Sequence, residues 1–285
     1  MSGKIYDTLV LSGSSIKGFA FLGALQYLYE NKQLNIQNYV GTSAGAMICY
    51  LLIIGYTPLE IFLDICTNQV LEKMQHFNIV AILQGKGAIS FNIIRDHLER
   101  MTINKIGYLP TMQDLKTKFN TNFVCVTYNL TENRPEYITE NTHPTLPCIT
   151  ALHMSGNLPL VFEHFKYGHS FYIDGGICNH FPINYAEKIG TNIIGLVIDG
   201  KHTKVNPELE IDVLEYIYNL MWVPIIQSME DQISKIDSER TTIVRIDGSD
   251  RKCFDFDIKP NIKMDLFSSG WSQIENHFTS SPSSS

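Results

Sequence analysis

Gly41-Thr42-Ser43-Ala44-Gly45 places a serine hydroxyl between glycines, where an apolar strand pattern gives way to an apolar helix pattern. A serine on so tight a turn is forced into an exposed, strained backbone conformation, and the flanking glycines remove Cβ atoms that would clash. The helix start behind it offers N–H groups and the positive end of a dipole, both suited to an oxyanion. That is the chemistry of a nucleophile in acyl transfer. Composition alone yields such a pattern roughly 0.1 times in a chain of this length, and the bland reading is a capped turn.

Two other short segments carry comparable information. Ser12-Gly13-Ser14-Ser15-Ile16-Lys17-Gly18 also follows an apolar strand pattern and opens a helix, which makes a backbone-amide cradle for an anion. It is not a phosphate-binding P-loop, because Phe19 follows Gly18 where Lys-Ser/Thr is required, nor a dinucleotide fingerprint, because Ser15 stands at the second glycine. Asp174-Gly175-Gly176 follows Phe171-Tyr172-Ile173 and can project a carboxylate into a site, since the glycines leave no side chain in its path. Alone, the first of these reads as a helix-capping turn and the second as an Asp-Gly turn. Together, the three stand in one order, each at the carboxyl end of a strand pattern, where open α/β sheets place their sites.

The elements needed to position them follow from periodicity. Tyr6–Ser12 and Asn38–Val40 read as strands, each followed by a helix, over 18–31 and 44–54; this βαβα unit implies parallel pairing. Helices are expected at 58–67, capped by Thr57 with Pro58 at its first position, and at 90–100, 111–119 and 146–154. Strands are expected at 122–128, 134–139, 170–173, 192–198 and 241–246. A long apolar helical stripe runs over 208–236, with Pro224 expected to kink or split it, and reads as a core or lid element rather than one lying on lipid. A short helix at 272–278 and a Ser-rich disordered tail at 279–285 close the chain; Gln84–Gly87 is a weak hinge candidate.

The chain has 285 residues, 44% hydrophobic and 18% charged, with 22 Lys+Arg against 29 Asp+Glu and a net charge of −7. That composition belongs to a globular domain with a large core, not to a disordered chain, and lacks the basic excess of a nucleic-acid binder. The six cysteines form no Cys-x-x-Cys and no zinc spacing, so reduced thiols and no metal are expected. The N-terminus carries no signal-peptide core, and no stretch approaches the ~20 apolar residues of a membrane span, which points to a cytoplasmic protein. One domain is expected: a short tail at 1–4, a core over 5–200, and 201–278 completing it.

The three segments, with Ala151–Pro159 and Pro182, resemble the patatin-like phospholipase family over about residues 5 to 200. The resemblance implies a three-layer α/β/α sandwich with a mainly parallel sheet, and a calcium-independent lipid acyl hydrolase that needs no cofactor. It implies a Ser–Asp dyad without histidine: Ser43 as nucleophile and Asp174 as general base. Gly13, Ser14, Ser15 and the Ala44 amide would form the oxyanion hole, Lys17 would attract a lipid phosphate, and Gly18, Gly41, Gly45, Gly175 and Gly176 are the motif glycines. Its partners would be a phospholipid or other lipid ester and, peripherally, a membrane surface. Two departures stand out. Ser14 and Ser15 replace family glycines, which lowers activity if a left-handed conformation is required there. His180 stands where the family commonly has Asn, and would brace the aspartate loop through a ring nitrogen. The alternatives are an inactive lipid-binding protein on the same fold, or a Ser–Asp–His triad using His180 or His202.

Overall fold

The computed structural model describes residues 4–70, 72, 89–199, 213–248 and 259–280. Its elements are β1 (Tyr6–Leu11), a 3-10 turn at Ser15–Lys17, α1 (Gly18–Glu30), β2 (Leu34–Thr42), α2 (Ala44–Ile53) and α3 (Pro58–Asn68). Then come α4 (Asn92–Ile106), α5 (Met112–Phe119), β3 (Asn122–Asn129), β4 (Arg134–Ile138) and α6 (Cys148–Gly156). After these follow β5 (Phe165–Tyr167), β6 (Ser170–Asp174), α7 (Gly176–Asn179), α8 (Ile183–Ile189), β7 (Ile193–Ile198), α9 (Val213–Ile233), β8 (Thr241–Ile246) and α10 (Pro260–Ser280).

The strands build one eight-stranded sheet in the order β5-β6-β3-β2-β1-β7-β8, with β4 on β3. Strands β3, β2, β1, β7 and β8 pair in parallel, and β4, β5 and β6 add antiparallel. The central strands are apolar on both faces because both are covered. Leu9 and Leu11, Phe123 and Cys125, and Ile194, Leu196 and Ile198 turn to one face, against α1, α2, α6 and α10. Val10, Val40, Val124 and Val197 turn to the other, against α8 and α9. This two-residue alternation makes the three layers, as the sequence implied.

One register relation positions the site. Strand β2 runs parallel to β3 and ends with Thr42 opposite Val126, while β6 runs antiparallel and ends with Asp174 opposite Thr127. Since β4 takes the other edge of β3 along Cys125–Asn129, β2 and β6 share one edge and meet head-on at their carboxyl ends.

Several boundaries differ from the sequence expectation. Strand β2 starts at Leu34 rather than Asn38, because its first half alternates with polar residues and its pairing is interrupted between Tyr6 and Thr8. The last helix runs from Pro260 to Ser280 instead of 272–278, so Thr279 and Ser280 belong to it and not to a tail. Its buried positions Leu266, Gly270 and Ile274 recur every four residues, but the central glycine hides the stripe from a hydrophobicity reading. Pro224 does not divide α9, which is continuous over 213–233 with the proline on its exposed side. The short β5, α7 and α8 were not expected. Lys4, assigned to the tail, donates to the carbonyls of Glu239 and Arg240. Residues 208–212, 281–285, His202 and the Gln84–Gly87 hinge lie outside the described residues. Among the described residues no single helix is long and apolar enough to cross a membrane.

Candidate active site

Ser43 joins β2 to α2 with φ 55° and ψ −128°, a left-handed conformation that a non-glycine residue adopts only when its surroundings impose it. The glycines around it are dictated by contact. A Cβ on Gly45 would lie 2.4 Å from the Ser12 carbonyl oxygen, and one on Gly41 2.6 Å from the Ala46 Cα. The strain aims the Ser43 hydroxyl across the strand ends, where Oγ donates to Asp174 Oδ2 at 2.6 Å. The second carboxylate oxygen, Oδ1, accepts the Gly176 N–H at 2.7 Å. Gly175 fits because its Cα faces the Val126 carbonyl, which any Cβ would strike.

Asp174 is buried, at 4% exposure. Burial pushes its carboxyl from 3.8 up to about 6, against the pull of the hydrogen bonds from Ser43 and Gly176. A carboxylate so raised is a better proton acceptor than one in water, yet still ionised at neutral pH.

Ser155 and Asn157, which the sequence reading did not single out, hold both residues in place. The Ser43 N–H donates to Ser155 Oγ at 2.8 Å, and that hydroxyl donates onward to the Val126 carbonyl at 2.6 Å. The Gly175 N–H donates to the Ser155 carbonyl, and the Asp174 N–H to that of Asn157. The end of α6 thus grips Ser43 and Asp174 together. A second tie runs from the Thr42 hydroxyl to the Asn179 carbonyl at 2.9 Å. Ser155 and Asn157 sit inside the stretch Ala151–Pro159, so proximity to a motif was the only signal available.

The loop from Gly13 to Lys17 closes the site from β1. Its Ser15 stands at φ 48° and Ser14 at φ −146°, so one of the two serines occupies a left-handed position. The Gly13 N–H is engaged by the His180 carbonyl at 3.0 Å, which removes it from the four expected oxyanion donors. Ser14 and Ser15 line the pocket with Ser43, and Ala44 begins α2 directly after Ser43. Lys17 is 5% exposed, its stem packed beside Gly248.

His180 does not brace the aspartate loop through its ring. Its Nδ1 has no hydrogen-bond partner, and the ring packs on Gly13 and edge-on to Trp222 at 4.6 Å. Burial lowers the imidazole to about 4, which keeps it neutral. Asn179 performs the bracing, donating to the Tyr137 hydroxyl and to Asn184 Oδ1.

Ser43, Asp174 and the loop from Gly13 to Lys17 open into one pocket that is continuous with solvent. Ser43, Asp174, Lys17 and His180 lie on its polar side, and Met221, Trp222, Ile225, Ile226 and Met229 of α9 form an apolar wall. Among the described residues no group of three or more His, Cys, Asp or Glu is arranged to hold a metal ion.

Residues 9–187, more than half of the chain, match the sequence model of the patatin-like phospholipases. The protein belongs to the patatin-like phospholipase family. Within it, the chain is 35% identical over 191 residues to the probable lipid hydrolase 463L of Invertebrate iridescent virus 6, a match covering 65% of this chain and 64% of that protein. It is 24% identical to protein R571 of Acanthamoeba polyphaga mimivirus over 276 residues, 94% and 92% of the two chains. Among solved structures, VipD of Legionella pneumophila shares the fold with a TM-score of 0.52 at 15% identity, covering 96% of this chain and 67% of that one. The patatin-like match ends within α8, so α9, β8 and α10 lie beyond it.

Proposed function

We propose that this protein is a lipid acyl hydrolase working through a Ser43–Asp174 dyad. The observation that carries the reading is the 2.6 Å hydrogen bond from a strained serine hydroxyl to a buried carboxylate. The Ser43 Oγ attacks the ester carbonyl carbon while its proton passes to Asp174 Oδ2. The negative charge that develops on the carbonyl oxygen is received by the amides of Ser14, Ser15 and Ala44. Such donors contribute about 2.7–4 kcal/mol each in well-studied hydrolases. Collapse breaks the bond to the alcohol, which leaves with the proton held by Asp174. Water then attacks the acyl-serine, giving its proton to Asp174, and collapse breaks the bond to Ser43 Oγ, which takes that proton back as the fatty acid departs.

The apolar wall of α9 suits an acyl chain, and Lys17 is the cation assigned to a phospholipid phosphate. Phospholipase A or lysophospholipase action on lipid taken from a membrane surface is the activity that fits these two walls. The Ser43 hydroxyl donates to Asp174 rather than to an imidazole, and His180 Nδ1 has no partner, which disfavours a triad. A fluorophosphonate probe tests the reading: labelling is expected at Ser43 in the native chain and is expected to vanish in Asp174→Asn while persisting in His180→Ala. No labelling of the native chain would favour an inactive lipid-binding protein. Mass spectrometry of a phospholipid and glyceride panel then identifies the substrate.

A further inference from the structure

Helix α9 presents two different apolar faces. The inner one, with Met221, Trp222, Ile225, Ile226 and Met229, is the cavity wall above Ser43 and rides on the 176–179 turn that follows Asp174. The outer one carries Tyr216, Ile217, Leu220 and Val223, exposed at 56%, 38%, 54% and 67%. These positions fall within one helical stripe, so they form a patch rather than scattered surface residues.

We propose that this outer face docks the protein on a lipid bilayer surface without net charge, holding the cavity mouth at the membrane. The proposal rests on the hydrolase reading for its purpose. Its chemistry comes from the helix itself. Residues 216–229 contain no charged residue, and 213–233 contain no lysine or arginine, while Glu230 and Asp231 close the helix. An interfacial helix that binds anionic lipid carries Lys and Arg on its polar side; this one, in a chain of net charge −7, gains nothing from a negative surface. Apolar insertion is the remaining driving force, and the exposed tyrosine is a side chain suited to the headgroup level. The apolar positions occupy the first half of the face, and Gln227, Ser228 and Asp231 the second, so the helix lies tilted with its N-terminal half inserted. Inner and outer faces belong to the same three turns, so docking the outer face brings the bilayer within about one helix diameter of the cavity wall.

The test uses the Ser43→Ala protein and vesicles of pure dioleoylphosphatidylcholine. Flotation with the vesicles is expected, and adding Leu220→Glu with Val223→Glu is expected to reduce the bound fraction at least tenfold. In the active enzyme the same pair should lower fatty-acid release from vesicles by a similar factor. Hydrolysis of p-nitrophenyl butyrate, a soluble ester, should stay within twofold and so reports that the fold survives. Val223→Trp is expected to tighten vesicle binding severalfold, and it decides the matter should the double variant misfold. Unchanged flotation of a folded double variant overturns the proposal. So does binding that requires phosphatidylserine, or a native dimer in sedimentation that the double variant dissolves, which would make a second copy the occupant. A native chain that cleaves neither ester refutes the hydrolase reading, while flotation still decides the docking face.

Discussion

The turns that deliver Ser43 and Asp174 look alike in sequence, each a strand end followed by small residues and a helix. They prepare their side chains by different means. At Ser43 the backbone itself is distorted, and a ten-residue helix behind it locks the distortion in place. At Asp174 the next residue, Gly175, has an ordinary helical backbone, only four helical residues follow, and the side chain is prepared instead by burial, which raises its proton affinity. Ser43 is aimed by strain and Asp174 is tuned by desolvation. Strain of this kind costs about 1–3 kcal/mol and persists only where packing over-determines it. The shared grip of Ser155 supplies that packing for both turns.

Removing the two groups gives the largest effects. Ser43→Ala is expected to lower ester hydrolysis by about ten-thousand-fold or more, and Asp174→Asn by at least about a thousandfold, both with cooperative melting retained. Activity in Asp174→Asn combined with its loss in His180→Ala would break the comparison and install a histidine base.

The desolvation half has its own signature. The kcat/KM profile is expected to fall about tenfold per pH unit below pH 6, as Asp174 takes up a proton. For stability the sign is opposite. A folded carboxyl at about 6, against 3.8 in the unfolded chain, binds its proton more tightly when folded, so its contribution is present below pH 4 and lost as pH rises through 6. Asp174→Asn escapes this loss. It is expected to melt above the native protein at pH 8 by up to about 3 kcal/mol, with the gap closing toward pH 4. An equal gap at both pH values would deny that burial sets the base.

Ser155→Ala leaves the Ser43 N–H without its acceptor and is expected to lower kcat roughly tenfold with KM within about twofold, because binding and chemistry use different walls. The smallest effect belongs to Ser15→Gly. It relieves a left-handed serine worth of order 1 kcal/mol while giving the unfolded chain more freedom, so melting and kcat should each move only slightly. A large gain in kcat would mean that the serine loop holds the oxyanion amides out of place.

Much of this was readable in advance. The capping box of Thr57 and Glu60 begins α3 at the predicted place, with Pro58 at its first position, because a helix start is decided by neighbouring residues alone. Strands β1, β3, β7 and β8 were found for a similar reason, since runs of β-branched and apolar residues covered on both faces have few other uses. The failures fell where burial is shared between distant segments. Strand β5 is three residues long and exists only by pairing with β6, and α10 is apolar only along the four-residue spacing that meets α1. Ser155 was hidden because a lone serine in a helix carries no local mark of the amide it accepts.

From its sequence alone the chain specified a serine elbow, a small-residue loop and a carboxylate turn, since glycine spacing and strand-to-helix transitions are local properties of neighbouring residues. Tertiary structure decided that two strands of opposite direction end against consecutive residues of β3, which brings side chains 131 positions apart within one hydrogen bond. It also decided that the Gly13 amide goes to a carbonyl and that α9 covers the cavity. Register and burial are relations between segments far apart in the chain, and no window of the sequence contains both partners.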